Sequence, residues 1–441
     1  MEILLVAGYS ALFLFVIHKL PFFRVDSISP RWVKLLFISK VAGGCVLGLL
    51  YTYYYTDRTT ADTFKFFDDS KILFNSLFTH PKQFFQIFFG VNNSTPECYN
   101  ICTQMIAWNN KDVLFNDNKT LVRLNVLFQF FSLGKYYVHV VFLNFFSFTG
   151  LIALFKLFQS GMKKKSRLLF ACTMFLPSVL FWGSGMLKDG LLLFALGVLL
   201  YSFNNLITSK YSFRSVVAVI LGLTLLMFTK LYTLAIIIPS LVAWYWSRKD
   251  HSYKIAYKFL VTHIIYLVIL FNIDLVSEKY DVVDLVFYKH KSFNVLVDAT
   301  KANSAIHIPE FDPTPGSILL NAPSAVLRVL TRPSIFDSNS PLILISAIEN
   351  IFIILLGSFC ILFSRWRNNF NPHLTWLSIC FVVFMFALIG LITPVLGAMV
   401  RYKVPALLFL VYCFIAVLGI EKVIARFPKL AKLFDNSAEA R

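Results

Sequence analysis

Residues 216–246 read VVAVILGLTLLMFTKLYTLAIIIPSLVAWYW, a 31-residue run interrupted by one charge, Lys230. As a single helix rising 1.5 Å per residue it would measure about 46 Å, against a bilayer hydrocarbon core of about 30 Å. The flanks decide how it divides. Arg214 precedes the run, and Arg248, Lys249, Lys254 and Lys258 follow it. Short basic loops stay on the cytoplasmic side of a membrane, so an even number of crossings separates these two clusters. The stretch therefore reads as two short helices that turn at Lys230.

The same logic extends outward. Upstream, 168–182 and 190–207 form a second pair, turning at GSGMLKDG, residues 183–190. Further apolar runs lie near 3–17, 35–55, 136–158, 259–273, 341–364, 372–392 and 404–420. Basic clusters alternate with the other loops: Lys19, Arg24, Arg31 and Lys34; Lys163, Lys164, Lys165 and Arg167; Lys210 and Arg214; Arg365 and Arg367; Lys422, Arg426, Lys429 and Lys432. Placing every cluster inside gives an outer N-terminus, a cytoplasmic C-terminus and an odd number of spans, about eleven. No alternating strand pattern is visible, and lipid demands that backbone groups be satisfied within the chain. The expected fold is thus all-α, a polytopic transmembrane helical bundle forming one integral membrane domain over 1–441. Two long extracytoplasmic loops, 56–135 and 274–340, belong to it. Aromatic residues and sparse Ser and Gly argue against disorder in these loops.

Composition agrees. Of 441 residues, 58% are hydrophobic and 15% charged, against about 25% charged in a soluble domain. The net charge of +18 sits mostly in short loops, where it sets topology and attracts anionic headgroups, so nucleic acid is not the expected partner. The N-terminal MEILLVAGYSALFLFVIHKL lacks a basic leader and reads as a retained span. Five of seven Cys lie in apolar runs, while Cys98 and Cys102 share a polar loop and can pair in an oxidising compartment. No Cys/His spacing marks a zinc site, no GxxxxGK[ST] loop is present, and no cytoplasmic segment is large enough to hold a nucleotide.

Polar residues gather at the outer ends of the spans. YYYTDRTTADTFKFFDDSKIL carries Asp57, Asp62, Asp68 and Asp69 among Arg58, Lys65 and Lys71. A helix here aligns Asp62, Lys65 and Asp69, and a carboxylate at such a rim can serve as a general base. Solvated ion pairs are the plainer reading. Lys188 stands just before a span that begins near Asp189, whose free amides favour an anion, unless it simply pairs with Asp189. Lys230 either snorkels at its turn or serves an anion. Arg328 and Arg332, at i and i+4, present two guanidiniums suited to phosphate on one helical face. Glu349, deep in PLILISAIENIFIILL, suits a structural ion pair. Arg401 and Lys403, in GAMVRYKVPALLFL, precede the last span. Together Lys188, Lys230, Arg328, Arg332 and Arg401 put five cations at one depth on one side, the pattern of a site for a lipid phosphate.

The early Asp-bearing outer segment, the short outer hairpins and RYKVPALLFL before the last helix resemble bacterial polytopic glycosyltransferases of the GT-C superfamily. PSVLFWGSGMLKDG and TKLYTLAII are similar to membrane proteins of polysaccharide clusters identified as O-antigen polymerase-like. The resemblance implies a transferase or polymerase of the cell (inner) membrane, acting on a polyprenyl-linked saccharide among membrane lipids. The family acid would fall on Asp62, with Asp68 and Asp69 as alternatives, and Arg401 would hold the diphosphate. In the family the acid usually follows the first span; here it follows the second. A divalent metal on the first-loop acids is a possible cofactor. The competing expectation is a transporter or lipid-linked oligosaccharide flippase, which calls for polar residues open to both sides and often for inverted repeats; neither is evident.

Overall fold

The computed structural model describes residues 1–108, 117–208, 212–251, 253–276, 281–300, 304–337, 340–365 and 370–434. Lys210 and Arg367 of the basic clusters fall outside them. The described chain is helical, with two isolated β-bridges and no sheet. In order the helices are α1 (Glu2–Lys19), α2 (Pro30–Tyr53), α3 (Asp62–Thr79), α4 (Pro81–Phe89), α5 (Pro96–Cys102), α6 (Asp117–Ser132), α7 (Tyr136–Gln159), α8 (Ser166–Met174), α9 (Pro177–Trp182), α10 (Lys188–Thr208), α11 (Phe213–Thr229), α12 (Leu231–Ser247), α13 (Tyr253–Phe271), α14 (Val282–Thr300), α15 (Pro315–Thr331), α16 (Pro341–Leu362), α17 (Pro372–Ile392), α18 (Leu396–Val417) and α19 (Ile420–Arg426).

Eight of these, α1, α2, α7, α10, α13, α16, α17 and α18, are long and apolar enough to cross a membrane, and α11 and α12 are shorter apolar helices. The chain breaks at Lys230, between α11 and α12, where the charge interrupts the run. The stretch expected to span at 168–182 is instead two short helices. Pro177 forces the break, because a residue before proline is disfavoured in helical geometry and α8 stops at Met174. Both long loops are largely helical, with α3 to α6 in the first and α14 and α15 in the second.

The helices gather into two compact units, Met1–Leu157 with Val179–Leu234 and Phe158–Ser178 with Ala235–Arg441. In the first unit α7 is the most enclosed span, 78% of its apolar window being buried against 6% for α1. Helix α1 therefore presents most of its surface to lipid. It is tied to α7 by Glu2, whose Oε1 accepts from the Tyr137 amide at 3.0 Å, and by Phe13 stacked on Phe145. Helices α3 to α6 have their own small core around Phe66, Leu73, Ile87, Trp108 and Val122. Cys98 and Cys102 both lie on α5 as free thiols.

The turn between α9 and α10 is irregular backbone enclosed by protein. A Cβ on Gly43 would come within 2.4 Å of the Leu180 carbonyl oxygen, and one on Gly44 within 2.3 Å of the Ser184 oxygen, so the paired glycines let α2 close onto this segment. The Gly183 oxygen accepts from Lys40 Nζ at 2.8 Å and from Ser147 Oγ at 2.7 Å. The Ser184 oxygen accepts from Asn144 Nδ2 at 2.8 Å. Non-helical backbone away from water needs such partners, since an unmade hydrogen bond there costs several kcal/mol by general estimates, roughly 2–7.

In the second unit α17 packs against α15 and α18, with Phe381 against Phe409, and Phe158 at the end of α7 packs on Phe409 and Tyr412 of α18. Lys165 donates to the oxygens of Ile415 and Ala416 at 2.9 and 2.8 Å, a cation on the final carbonyls of α18. Residues 304–306 run extended beside 394–396, with Ile306 N donating to the Pro394 oxygen at 2.7 Å.

Candidate functional site

The first unit gathers charged residues at helix ends. Asp62 is the first residue of α3, Asp117 of α6 and Lys188 of α10, and Lys230 fills the break after α11. Lys188 Nζ meets Asp117 Oδ2 at 2.7 Å, the lysine side chain 13% exposed and the aspartate 42%. Its ammonium also sits 5.4 Å from the centre of the Phe66 ring. Besides Asp117, Lys230 and Asp62 are the charged groups close enough to act on Lys188 electrostatically. Of the expected site residues, Lys230 and Asp62 thus lie within electrostatic reach of Lys188.

The formal charges around Lys188 balance, Lys188 and Lys230 against Asp117 and Asp62, so the pull on an anion comes from the helix start. The start of a helix carries a partial positive charge from its unpaired amides. A lysine at that position adds to this charge, whereas the usual occupant would be acidic. Asp117 offsets part of it. Lys188 thus pairs with Asp117 on a distant helix; Asp189 itself is buried.

The four acids of the segment before and within α3 have distinct surroundings. Asp57 accepts from the amide and hydroxyl of Thr59 at 2.9 and 2.7 Å, and these bonds hold its carboxyl below the ordinary range. Asp68 takes a two-pronged pair from Arg58, both contacts at 2.7 Å. Asp69 is buried and accepts the amides of Ile106, Ala107 and Trp108 at 2.9, 2.7 and 3.0 Å. Burial nonetheless pushes its carboxyl above the ordinary value, ahead of the opposing pull of those amides. Asp62, half-buried, is the one of the four that acts electrostatically on Lys188. Its neighbour Thr63 shares a 2.5 Å hydrogen bond with Tyr136, which fixes the start of α3 on α7.

Arg328, Arg332 and Arg401 belong to the second unit. Arg328 donates from Nη1 to the Gly390 oxygen at 2.8 Å, capping the last turn of α17. The expected shared helical face of Arg328 and Arg332 does not form. Helix α15 ends at Thr331 and Arg332 is extended, as a residue before Pro333 prefers to be. Arg332 instead lies 3.7 Å from Asp337. The placement of Arg401 and Lys403 before the last span also needs correcting. Because α18 starts at Leu396, both lie inside it. Lys403 is buried there, donating to Asn350 Oδ1 at 3.0 Å and the Arg332 oxygen at 2.9 Å. Glu349 accepts from the amide and hydroxyl of Ser178 at 2.6 and 2.5 Å.

Two residues of the first unit escaped the sequence reading. Lys40 stands in the middle of an apolar run, and the argument applied to Lys230 would have flagged it. Asp117 had no local signal, since its role is set by a partner on a different helix. Among the described residues no three His, Cys, Asp or Glu side chains gather as a metal-holding group. No protein family, curated protein or solved structure matches the chain.

Proposed function

We propose that the chain is a glycosyltransferase or polysaccharide polymerase of the cell membrane that takes its sugar from polyprenyl phosphate or diphosphate on the extracytoplasmic side. The observation that carries this reading is the Lys188–Asp117 pair at the start of α10, with Asp62 and Lys230 within electrostatic reach of Lys188. One carboxylate there can take the proton of an acceptor hydroxyl while the hydroxyl oxygen bonds to the anomeric carbon. The bond from that carbon to the phosphate breaks, and its electrons leave on the phosphate. Lys188, Lys230 and the α10 amides stabilise the charge that develops. Arg328, Arg332 and Arg401 form a separate cationic set in the second unit and enter the proposal as contacts for lipid phosphate.

The test is turnover by the purified protein of a radiolabelled polyprenyl-diphosphate sugar. Lys188→Ala should weaken donor binding by about 2–5 kcal/mol, as truncation of a largely desolvated charge pair does. No transfer by the unmodified protein from any such donor, or unchanged donor binding in the variant, would remove the reading.

The proposal includes a topology. The eight long helices, α11 and α12 make ten crossings, and the broken run 166–182 supplies the eleventh that puts the N-terminus outside and the C-terminus inside. Reporter fusions after Lys165 and Asp250 should then report the cytoplasm, and those after Asn100 and Thr300 the opposite side. An outer signal after Asp250 would overturn the division of the run at Lys230.

A further inference from the structure

Helices α3 to α6 bury one set of aromatics in their own core and expose another. On α4, Phe84 and Ile87 are buried, whereas Phe85 and Phe89 are 52% and 67% exposed. Lys82, Phe85 and Phe89 recur at i, i+3 and i+7 and so line one stripe, with the cation at one end. On α6, Leu127, Phe130 and Phe131 recur at i, i+3 and i+4, each about half exposed, and Leu133 follows. Helix α3 ends on exposed Phe78. A large apolar patch on the outside of a folded segment marks an interaction surface.

Ring contacts carry the α3 and α6 part of this patch to α7 and α1. Phe78 packs edge-on against Phe74, and Phe74 against Phe130, with ring centres 5.4 and 4.8 Å apart. Phe131 meets Phe142, which meets Tyr9 of α1 at 4.9 Å. The Tyr9 hydroxyl donates to the Phe131 carbonyl at 2.8 Å. Tyr9 lies seven residues into α1, about 10 Å along its axis from Glu2. The last turn of α6 is therefore held beside α1, of whose residues only Ile17 is buried, well inside that helix's end. Lys71 and Lys135 line the same border near Gly134, and Lys71 lies over the Phe67 ring at 5.2 Å.

We infer that α3 to α6 form a cap sunk into the leaflet at the N-terminal end of α1, its exposed phenylalanines among acyl chains and Lys71, Lys82 and Lys135 at the level of anionic headgroups. Helices with an apolar face and a basic border lie in a bilayer in this manner, their apolar side about 5–10 Å below the headgroups. Asp62 opens the first helix of the cap. The cap therefore sets the carboxylate at the headgroup level, where the phosphate of a membrane lipid resides. The inference rests on α1 lying in the bilayer and not on the transfer reaction.

The full-length protein, carrying p-benzoylphenylalanine in place of Phe85, Phe89 or Phe131, is reconstituted in vesicles of phosphatidylethanolamine and phosphatidylglycerol with an alkyne-tagged phosphatidylglycerol. Irradiation should attach tagged lipid at all three positions, to an extent comparable with Leu12 of α1, and should attach none at Glu97 of α5. Lipid capture at Leu12 with none at Phe85 and Phe89 overturns the inference. So does a protein adduct of doubled mass at Phe85, which would assign the patch to a second copy of the chain. Absence of lipid capture at Leu12 would remove its foundation as well.

Discussion

Replacing Asp62 by Asn should lower turnover by roughly 100- to 10,000-fold, the range that a positioned general base contributes, while donor affinity stays close to that of the unmodified protein. The substitution keeps the size of the side chain and removes its ability to take a proton. The donor's phosphate is assigned to Lys188, Lys230 and the amides of α10, none of which the change removes. The measurement is single-turnover transfer at saturating donor, set beside equilibrium donor binding. The expected signature is a fall in kcat with KM for the donor nearly constant, the reverse of Lys188→Ala. Near-normal kcat would end the assignment. Asp117 would then be next in line, because Asp68 is committed to Arg58 and Asp69 to three amides. An equal loss of donor binding in Asp62→Asn and Lys188→Ala would mean that the two act as one structural ion network.

Asp69→Ala should cost stability rather than chemistry. The carboxylate gathers three successive amides, those of Ile106, Ala107 and Trp108, onto α3 from more than thirty positions away in sequence. Without it these donors are left unmet near Trp108, which is 3% exposed. Each orphaned amide costs on the order of 1–3 kcal/mol, so the loss approaches the whole stability of a small helical segment. Limited proteolysis of the detergent-solubilised protein should show new cleavage between α4 and α6, with the spanning helices still resistant. Asp69→Asn retains one accepting oxygen and should fall between the two. A protease pattern unchanged in Asp69→Ala would show that the core around Trp108 holds the segment by itself.

Much of the architecture was legible because lipid makes strong demands on a sequence. Most long apolar runs predicted helices that formed within a few residues of their expected ends, although α13 and α18 begin six and eight residues earlier, and Lys230 marked a real break. In the first long loop Asp62, Lys65 and Asp69 were read as one helical face, and all three lie on α3. Pro177 was visible too, yet apolar content concealed its effect and two short helices were read as one span. Charges misled where they were assumed to mark the end of a span. Lys403 is inside α18 because Asn350 and the Arg332 carbonyl receive its ammonium, and such partners are invisible along the chain. The candidate site divides in the same way. Its cations could be read from their positions at helix starts and breaks, whereas the tie of Lys188 to Asp117 comes from packing between distant helices.

The bonding of the segment after α9 also bears on biogenesis. Gly183 and Ser184 expose carbonyls that no helix of their own can satisfy, and these are met by Lys40 of α2 and by Asn144 and Ser147 of α7. All three donors precede the segment in the chain, so a ribosome delivers them first. A membrane-insertion machine can therefore release this unpaired backbone directly onto a prepared polar seat, without holding it until later helices emerge. Lys40 travels in the opposite sense: it enters with α2 well before the carbonyls that will receive it. During that interval its charge has to stay hydrated or in the protection of the insertion channel. The chain thus carries a built-in order of assembly, in which α2 remains unfinished until the segment after α9 arrives.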